Sequence, residues 1–356
     1  MTIHSLETRR IRIPLMRPFV TAIRRVSVME AVQVLLRCTE GCLGYGEAPS
    51  SALITGDTLP SIEEAINGYI APALLGRSLD EDLGSLIDAA IRGNTSAKAA
   101  VEIALMDLQA RRLSVPLYEM LGANRKSKKP LTTDMTISLG PTEVMIKDAL
   151  AAIAGGFSVL KIKTGARPDS DAEQLIKLWH GLAGQDILLR VDANQGWSPD
   201  EAIAIIHAWE DAGIPIDIIE QPVPAWDIEG LAKVSAHSRL PIAADEAVFS
   251  PRDALRVIES RAAGVINIKL MKSGGIGPAL EICELCRIHG LECMIGCMLE
   301  GEISAAAAAH LAASSPIITR LDIDSPLMYQ SSEYMGGTAF EGPNIILNDS
   351  PGLGVQ

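Results

Sequence analysis

The chain has 356 residues, of which 48% are hydrophobic and 4% aromatic, and its 31 Lys and Arg stand against 44 Asp and Glu for a net charge of −13. That length is ample for one α/β barrel plus a smaller domain, while the acidic balance and scarce aromatics exclude a nucleic-acid binder. The opening MTIHSLETRR lacks the apolar core of a signal peptide, and no apolar run approaches the roughly 20 residues of a membrane span, so a cytoplasmic protein with no membrane partner is expected.

In chain order, the first elements read as extended. RRIRIPL and EAVQVLLRC are followed by a turn at Glu40-Gly41 and by CLGYGEA, which predicts an antiparallel hairpin. Helical patterns follow around 60–75, 80–92 and 95–113, the last with apolar residues at i, i+3 and i+4. Together they predict a compact α+β module, and the basic stretch RKSKKP at 125–130 reads as a linker. From Leu131 the rhythm changes to short apolar runs alternating with helical patterns, the signature of parallel βαβ units. The candidate strands TTDMTISL, SVLKIKT, ILLRVDAN, IDIIEQP, PIAADE, GVINIKL, ECMIGCM and ITRLDID number eight, which predicts a (β/α)₈-type barrel with its site at the carboxyl ends of the strands. The Gly-, Pro-, Ser- and Asn-rich segment from about 325 to 356 reads as a tail returning to the first module.

Two motifs have bland readings. Cys283 and Cys286 form a CxxC inside a helical pattern, and without a second CxxC or HxxxH spacing helix packing is expected rather than a zinc site. The six cysteines are expected to be reduced thiols. Gly274-Gly275 resembles a phosphate-cradling loop but is read as a tight turn.

Charged residues end the apolar strands. From Lys163 to Asp192 is 29 residues, to Glu220 another 28, to Asp245 another 25 and to Lys269 another 24, each about one βα unit. A buried charge is costly unless it is paired or liganded, so its recurrence around one ring implies a shared purpose. Asp192, Glu220 and Asp245, from three consecutive strands, can converge on one point, and three hard oxygen donors without His or Cys favour Mg²⁺. Lys161 and Lys163 in LKIKT are two apart and share one face of their strand, with Lys269 across the ring. Two amines on opposite sides of a metal-held substrate can remove and return a proton from opposite faces, and a nearby dication is expected to lower a lysine's pKa toward a general base's range.

KIK at 161–163, VDAN at 191–194, EQP at 220–222, ADE at 244–246 and IKLMKSGG at 268–275 resemble the muconate-lactonizing subgroup of the enolase superfamily. GYGEAP at 44–49 and VEIALMDLQAR are similar to that family's capping domain. The resemblance implies a (β/α)₇β-type TIM barrel at 126–325, an α+β capping domain at 1–125 and a C-terminal segment at 326–356 packing back on the cap. Lys or His bases working with Mg²⁺ at a stabilised ene-diolate are the known chemistry of that superfamily.

Within the subgroup the chain resembles dipeptide epimerases of the L-Ala-D/L-Glu type. PFVTAIRRV at 18–26 is similar to the flexible loop whose arginine, here Arg24, contacts the substrate's second residue, and DMTISL places Thr136 near the substrate. LDIDSP offers Asp322 and Asp324, at i and i+2 on the last strand, as a grip for an α-ammonium, with Cys297 as a further contact. The implied mechanism has one Mg²⁺ and Lys161 binding the terminal carboxylate and Lys163 and Lys269 exchanging the α-proton of the C-terminal residue of a dipeptide. A homo-oligomer is expected. Side-chain preference stays open between Arg24, which suits an acidic residue, and Glu300 or Glu302, which would suit a cationic one. The competing readings are an N-acyl amino acid racemase or o-succinylbenzoate synthase of the same superfamily, a Schiff-base aldolase using Lys163 or Lys269, and a non-catalytic small-molecule-binding barrel.

Overall fold

The structure, a computed structural model, describes residues 1–124, 130–331 and 337–355. The expected linker at 125–130 lies outside the described residues except for Pro130. The N-terminal module is built on a three-stranded antiparallel sheet of Ile3–Val20, Arg25–Cys38 and Leu43–Pro49. The predicted hairpin is therefore one strand short, because the first run pairs with the second along nearly its whole length, from Ile3 opposite Cys38 to Val20 opposite Arg25. The expected flexible loop at 18–26 is the tip of that pairing, closed by Thr21 N–H to the Arg24 carbonyl at 3.0 Å.

Thr95–Arg112 forms the longest helix of the module, and almost its whole surface is buried. It lies directly on the strand Leu43–Pro49. A Cβ at Gly44 would stand 2.0 Å from the Ala104 carbonyl oxygen and one at Gly46 would stand 1.8 Å from that of Ala100, so the two glycines of GYGEAP permit the backbones to touch.

The second module is an eight-stranded parallel sheet whose spatial order follows the chain: Met135–Ile137, Val159–Lys163, Leu188–Asp192, Ile216–Glu220, Ile242–Ala244, Val265–Ile268, Glu292–Gly296 and Ile318–Asp322. Seven of these strands are followed by helices, and the eighth runs into the short 3₁₀ turn Ser325–Met328, as expected of a (β/α)₇β barrel. Three of the helices begin on residues that supply their own caps. Ser198 and Glu201 form a reciprocal capping box, and Asp227 and Ser250 cap the next two helices. Ile218, Ala243, Val265 and Met294 fill the barrel interior as an apolar layer.

Three strand ends differ from expectation. The first strand is shorter than TTDMTISL because Thr133 and Asp134 close the seam with the eighth strand: Asp134 N–H donates to the Leu321 carbonyl at 3.2 Å and Ile323 N–H to Thr133 Oγ1 at 2.8 Å. Lys269 follows the sixth strand, still in extended backbone, at the start of the short helix Leu270–Ser273. Asp324 lies past the eighth strand, in helical backbone before a proline-initiated turn.

The tail forms strands Thr338–Glu341 and Asn344–Leu347, the latter pairing with Leu131–Thr132. Its last residues meet the cap, where Leu353 N–H donates to Asp107 at 2.6 Å and Leu117 N–H to the Gly352 carbonyl at 2.7 Å. No described helix is long and apolar enough to cross a membrane. All six cysteines are free, and Cys283 and Cys286 sit buried in the helix Ile276–His289.

Candidate functional site

Strands two, three and four carry an in-register row at their carboxyl ends: Lys163 opposes Asp192, and Asp192 opposes Glu220. Asp245 follows the fifth strand directly. Oxygens of Asp192, Glu220 and Asp245 lie within 4.8 Å of one another, and all three residues are fully buried. Four amines surround them. Lys161 Nζ is 2.8 Å from Glu220 Oε2, 3.2 Å from Asp192 Oδ2 and 2.6 Å from Asp322 Oδ2. Lys163 Nζ is 2.5 Å from Asp192 Oδ2, and Lys269 and Lys272 Nζ are each 2.6 Å from Asp245. Alternation along the second strand thus turns Lys161 and Lys163 to the same side, and Lys269 faces them from four strands away in a ring of eight.

These charges set one another's protonation. Burial alone would raise Asp192, but Lys163 and Lys161 outweigh it and hold the carboxyl at about 2. Glu220 goes the other way, to about 8, because burial and the Asp192 charge exceed the pull of Lys161. Burial would likewise raise Asp245, yet Lys269 and Lys272 keep it well below the usual carboxylate range. Burial disfavours the Lys161 ammonium, but Asp322, Glu220 and Asp192 drive its pKa well above the ordinary value, and Asp245 and Glu220 raise Lys269 in the same way. Lys272, buried and beside Lys269, is lowered.

The acidic triad fits a hard divalent cation. Glu220 Oε2 and Asp245 Oδ1 are buried and accept no hydrogen bond, although amines stand close enough for ion pairing. Three convergent carboxylates with unspent acceptor capacity form the donor set that Mg²⁺ takes.

Above the ring is a pocket lined by residues of both modules. The barrel contributes Thr136, Lys163, Lys269, Cys297, Asp322 and Asp324, and the cap contributes Phe19, Thr21, Ile23, Arg24 and Ile54. Arg24 donates from Nη1 to Ser51 Oγ at 3.0 Å, while its Nε is buried without a hydrogen-bond partner. Asp324 accepts the Thr136 N–H at 2.6 Å, and like-charge crowding by Asp322 adds to burial in raising its pKa to about 7. Cys297 Sγ lies 3.4 Å from Ser325 Oγ. Glu300 and Glu302 are not among the lining residues: Glu300 folds back on its own turn, accepting the Met298 N–H at 2.8 Å.

Sequence reasoning passed over several residues that the fold brings here. Asn267 donates to Glu220 Oε1 at 2.9 Å, and its place two residues before Lys269 was the available signal. Lys272 donates to the Asp245 and Asn267 carbonyls, a buried charge in an apolar stretch three residues beyond Lys269. Phe19 comes from another module altogether, its ring centroid 5.8 Å from Lys163 Nζ; it lies in PFVTAIRRV, the segment that resembles a substrate-contacting loop, although that resemblance points to Arg24 and not to the aromatic ring.

Residues 5–122 match the N-terminal domain of the mandelate racemase / muconate lactonizing enzyme family, and residues 144–356 match the enolase C-terminal domain-like family. The chain belongs to the mandelate racemase / muconate lactonizing enzyme family of the enolase superfamily. It is 45% identical to an L-Ala-D/L-Glu epimerase from Clostridium acetobutylicum over 100% of this chain and 99% of the relative. It superposes with a TM-score of 0.95 on a substrate-liganded L-Ala-D/L-Glu epimerase from Bacillus subtilis, at 44% identity over 100% of this chain and 99% of the other. It superposes equally well, at 0.95 and 36% identity over 100% of both chains, on a dipeptide epimerase from Enterococcus faecalis complexed with Mg and L-Leu-L-Tyr. All three of these relatives span both modules of this chain.

Proposed function

We propose that this protein is a Mg²⁺-dependent dipeptide epimerase, an isomerase that inverts the α-carbon of the C-terminal residue by proton transfer between two lysines. The observation that carries the reading is the ring itself: Lys163 and Lys269 enter one pocket from opposite strands, on either side of a buried carboxylate triad. Asp192, Glu220 and Asp245 would hold the metal, which lends positive charge to the substrate carboxylate as the α-proton leaves. Lys161, buried among carboxylates and held as an ammonium, binds and orients that carboxylate. A dication held by Asp192, Glu220 and Asp245 would offset the carboxylate charge that raises Lys269, so that one of Lys163 and Lys269 can take the α-proton as a neutral amine and the other, as an ammonium, deliver a proton to the opposite face.

Asp322 and Asp324 receive the α-ammonium, Arg24 reaches the second side chain, and Thr136 and Cys297 complete the wall. Two desolvated carboxylates favour a free amine over an N-acyl group, which would leave them unpaired. Arg24, lining the pocket with an unspent Nε donor, favours an acidic second residue, whereas Glu300 lies behind the wall. The cap at 1–125 would shape specificity, the barrel at 126–325 would run the chemistry, and residues 326–356 would tie the two together. A cytoplasmic enzyme with free thiols, acting as a homo-oligomer on small dipeptides, is the setting this implies.

The test is a dipeptide panel in D₂O with Mg²⁺, scored by α-deuterium incorporation. Inversion with deuterium entering at the C-terminal residue is expected; preferential turnover of N-succinyl amino acids, or turnover through a borohydride-trapped imine insensitive to chelation, would defeat the proposal.

A further inference from the structure

Asp134 sits at the seam between the first and eighth strands and is 1% exposed. Its Oδ2 accepts from Arg190 Nη1 at 2.8 Å, while its Oδ1 is buried and receives no hydrogen bond. Carboxylate oxygens of Asp134, Asp322 and Asp324 lie within 4.8 Å of one another, a second acidic triad beside the pocket. Asp322 and Asp324 line that pocket and Asp134 does not, so Asp134 stands behind the pair.

Few cations answer these three acids. Arg190 is fixed by the Leu321 carbonyl at 2.9 Å and shared with Asp217 at 3.0 Å, and Lys161, the amine on Asp322, is shared with Glu220 and Asp192. With one cation at Asp134 and a shared one at Asp322, the triad is short of positive charge, and burial with the Asp322 charge pushes the Asp134 carboxyl well up and Asp324 to about 7, so the three acids do not all carry charge until a further cation joins them. Packing a third carboxylate behind a pair that already repels itself is a cost that the apolar neighbourhood does not relieve. An incoming monocation between Asp322 and Asp324 would relieve it.

We propose that Asp134, tethered by Arg190, is a positioning residue of the ammonium subsite: its carboxylate, ionised when a cation completes the triad, makes the Asp322–Asp324 pair prefer a primary ammonium to a neutral acylamide. The inference rests on the dipeptide reading and adds to it the residue that enforces amine selectivity from outside contact distance. The field of a buried unit charge is weakly screened, so its removal should weaken ammonium binding on the order of tenfold or more.

The experiment compares wild type, Asp134→Asn and Asp134→Glu on the best dipeptide of the panel, with the N-acetyl derivative of the same dipeptide as a competitive inhibitor. Asp134→Asn is expected to raise KM at least tenfold, with the larger effect on KM than on kcat, while the inhibition constant of the acetylated compound moves less than threefold. Asp134→Glu is expected to recover most of the lost KM. A purely structural role would shift both ligands together, alongside a fall in Tm, and that outcome overturns the proposal, as does an unchanged KM. A wild type inactive on every dipeptide would instead overturn the reading beneath it, an outcome visible before any variant is made.

Discussion

Replacing Lys163 and Lys269 one at a time by Met tests the two-base arrangement where it is most exposed. Epimerisation needs both amines in succession, so each variant should lose it by 10²- to 10⁴-fold, about 3 to 5 kcal/mol of barrel-assisted proton transfer. Exchange of the α-proton needs only the amine facing it. In D₂O, one variant should still wash deuterium into the L-configured residue and the other only into the D-configured residue. The structure also orders their stabilities. Without Lys163, Asp192 keeps only Lys161 at 3.2 Å, whereas without Lys269, Asp245 keeps Lys272 at 2.6 Å. Stranding a buried carboxylate costs about 3 to 5 kcal/mol, so in metal-free protein Lys163→Met should melt below Lys269→Met. Two variants that retain exchange from the same epimer, or that lose both exchanges together, would refute opposite-face delivery.

Chelation with EDTA should abolish activity and Mg²⁺ restore it, and Asp192→Asn should raise the Mg²⁺ concentration needed for half-maximal rate at least tenfold; normal turnover by that variant would remove the metal from the scheme. Glu47, Glu102 and Glu300 are each raised by burial from 4.5 to about 7, so each favours the folded state below pH 4.5 and withdraws that support as pH climbs through 7. Each such shift is worth at most about 3 kcal/mol, so Tm should fall between pH 5.5 and 8, and Glu102→Gln should flatten that slope. Gly46→Ala, whose Cβ would stand 1.8 Å from the Ala100 carbonyl, should cost about 3 kcal/mol or more by thermal melting, against about 1 kcal/mol for Gly41→Ala, where nothing lies within 4 Å.

The barrel was legible because parallel strands buried on both faces read as apolar runs, and because the charges that interrupt them recur once per βα unit. Asp192, Glu220 and Asp245 needed only that spacing, and Lys161 with Lys163 only strand alternation. What spacing could not give was the identity of partners separated by long stretches of chain. The Asp134–Arg190 pair joins residues 56 apart, and the Phe19 ring reaches Lys163 from the cap. Simple alternation puts Asp324 on the eighth strand, but the following Ser325-Pro326 bends the backbone into a turn, and the residue enters the pocket from there.

The way the cap is fastened explains how two modules can build one pocket. Glu102 of the cap's long helix accepts the Ile276 and Gly277 N–H groups at 2.6 and 2.7 Å, at the start of the helix that follows Lys269 and Lys272. Glu47 of GYGEAP accepts Ser304 Oγ at 3.1 Å in the first turn of the next helix, after Cys297. Both carboxylates are buried, and each sits where a helix N-terminus presents unpaired N–H groups and positive potential. The glycines there leave room for the two carboxylates: a Cβ at Gly275 would lie 2.2 Å from Glu102 Oε2 and one at Gly301 would lie 2.4 Å from Glu47 Oε1, so a larger residue would push the carboxylate from its seat. Gly274-Gly275 therefore does shape an anion seat, and the anion it receives is the protein's own. Because both anchors grip the helices behind strands six and seven, the hairpin bearing Phe19 and Arg24 is referenced to the wall that carries Lys269 and Cys297. If the proposed role of the hairpin tip holds, substitutions there should alter which dipeptide side chain is accepted while the lysine and carboxylate ring, built on strands two to six, keeps its geometry.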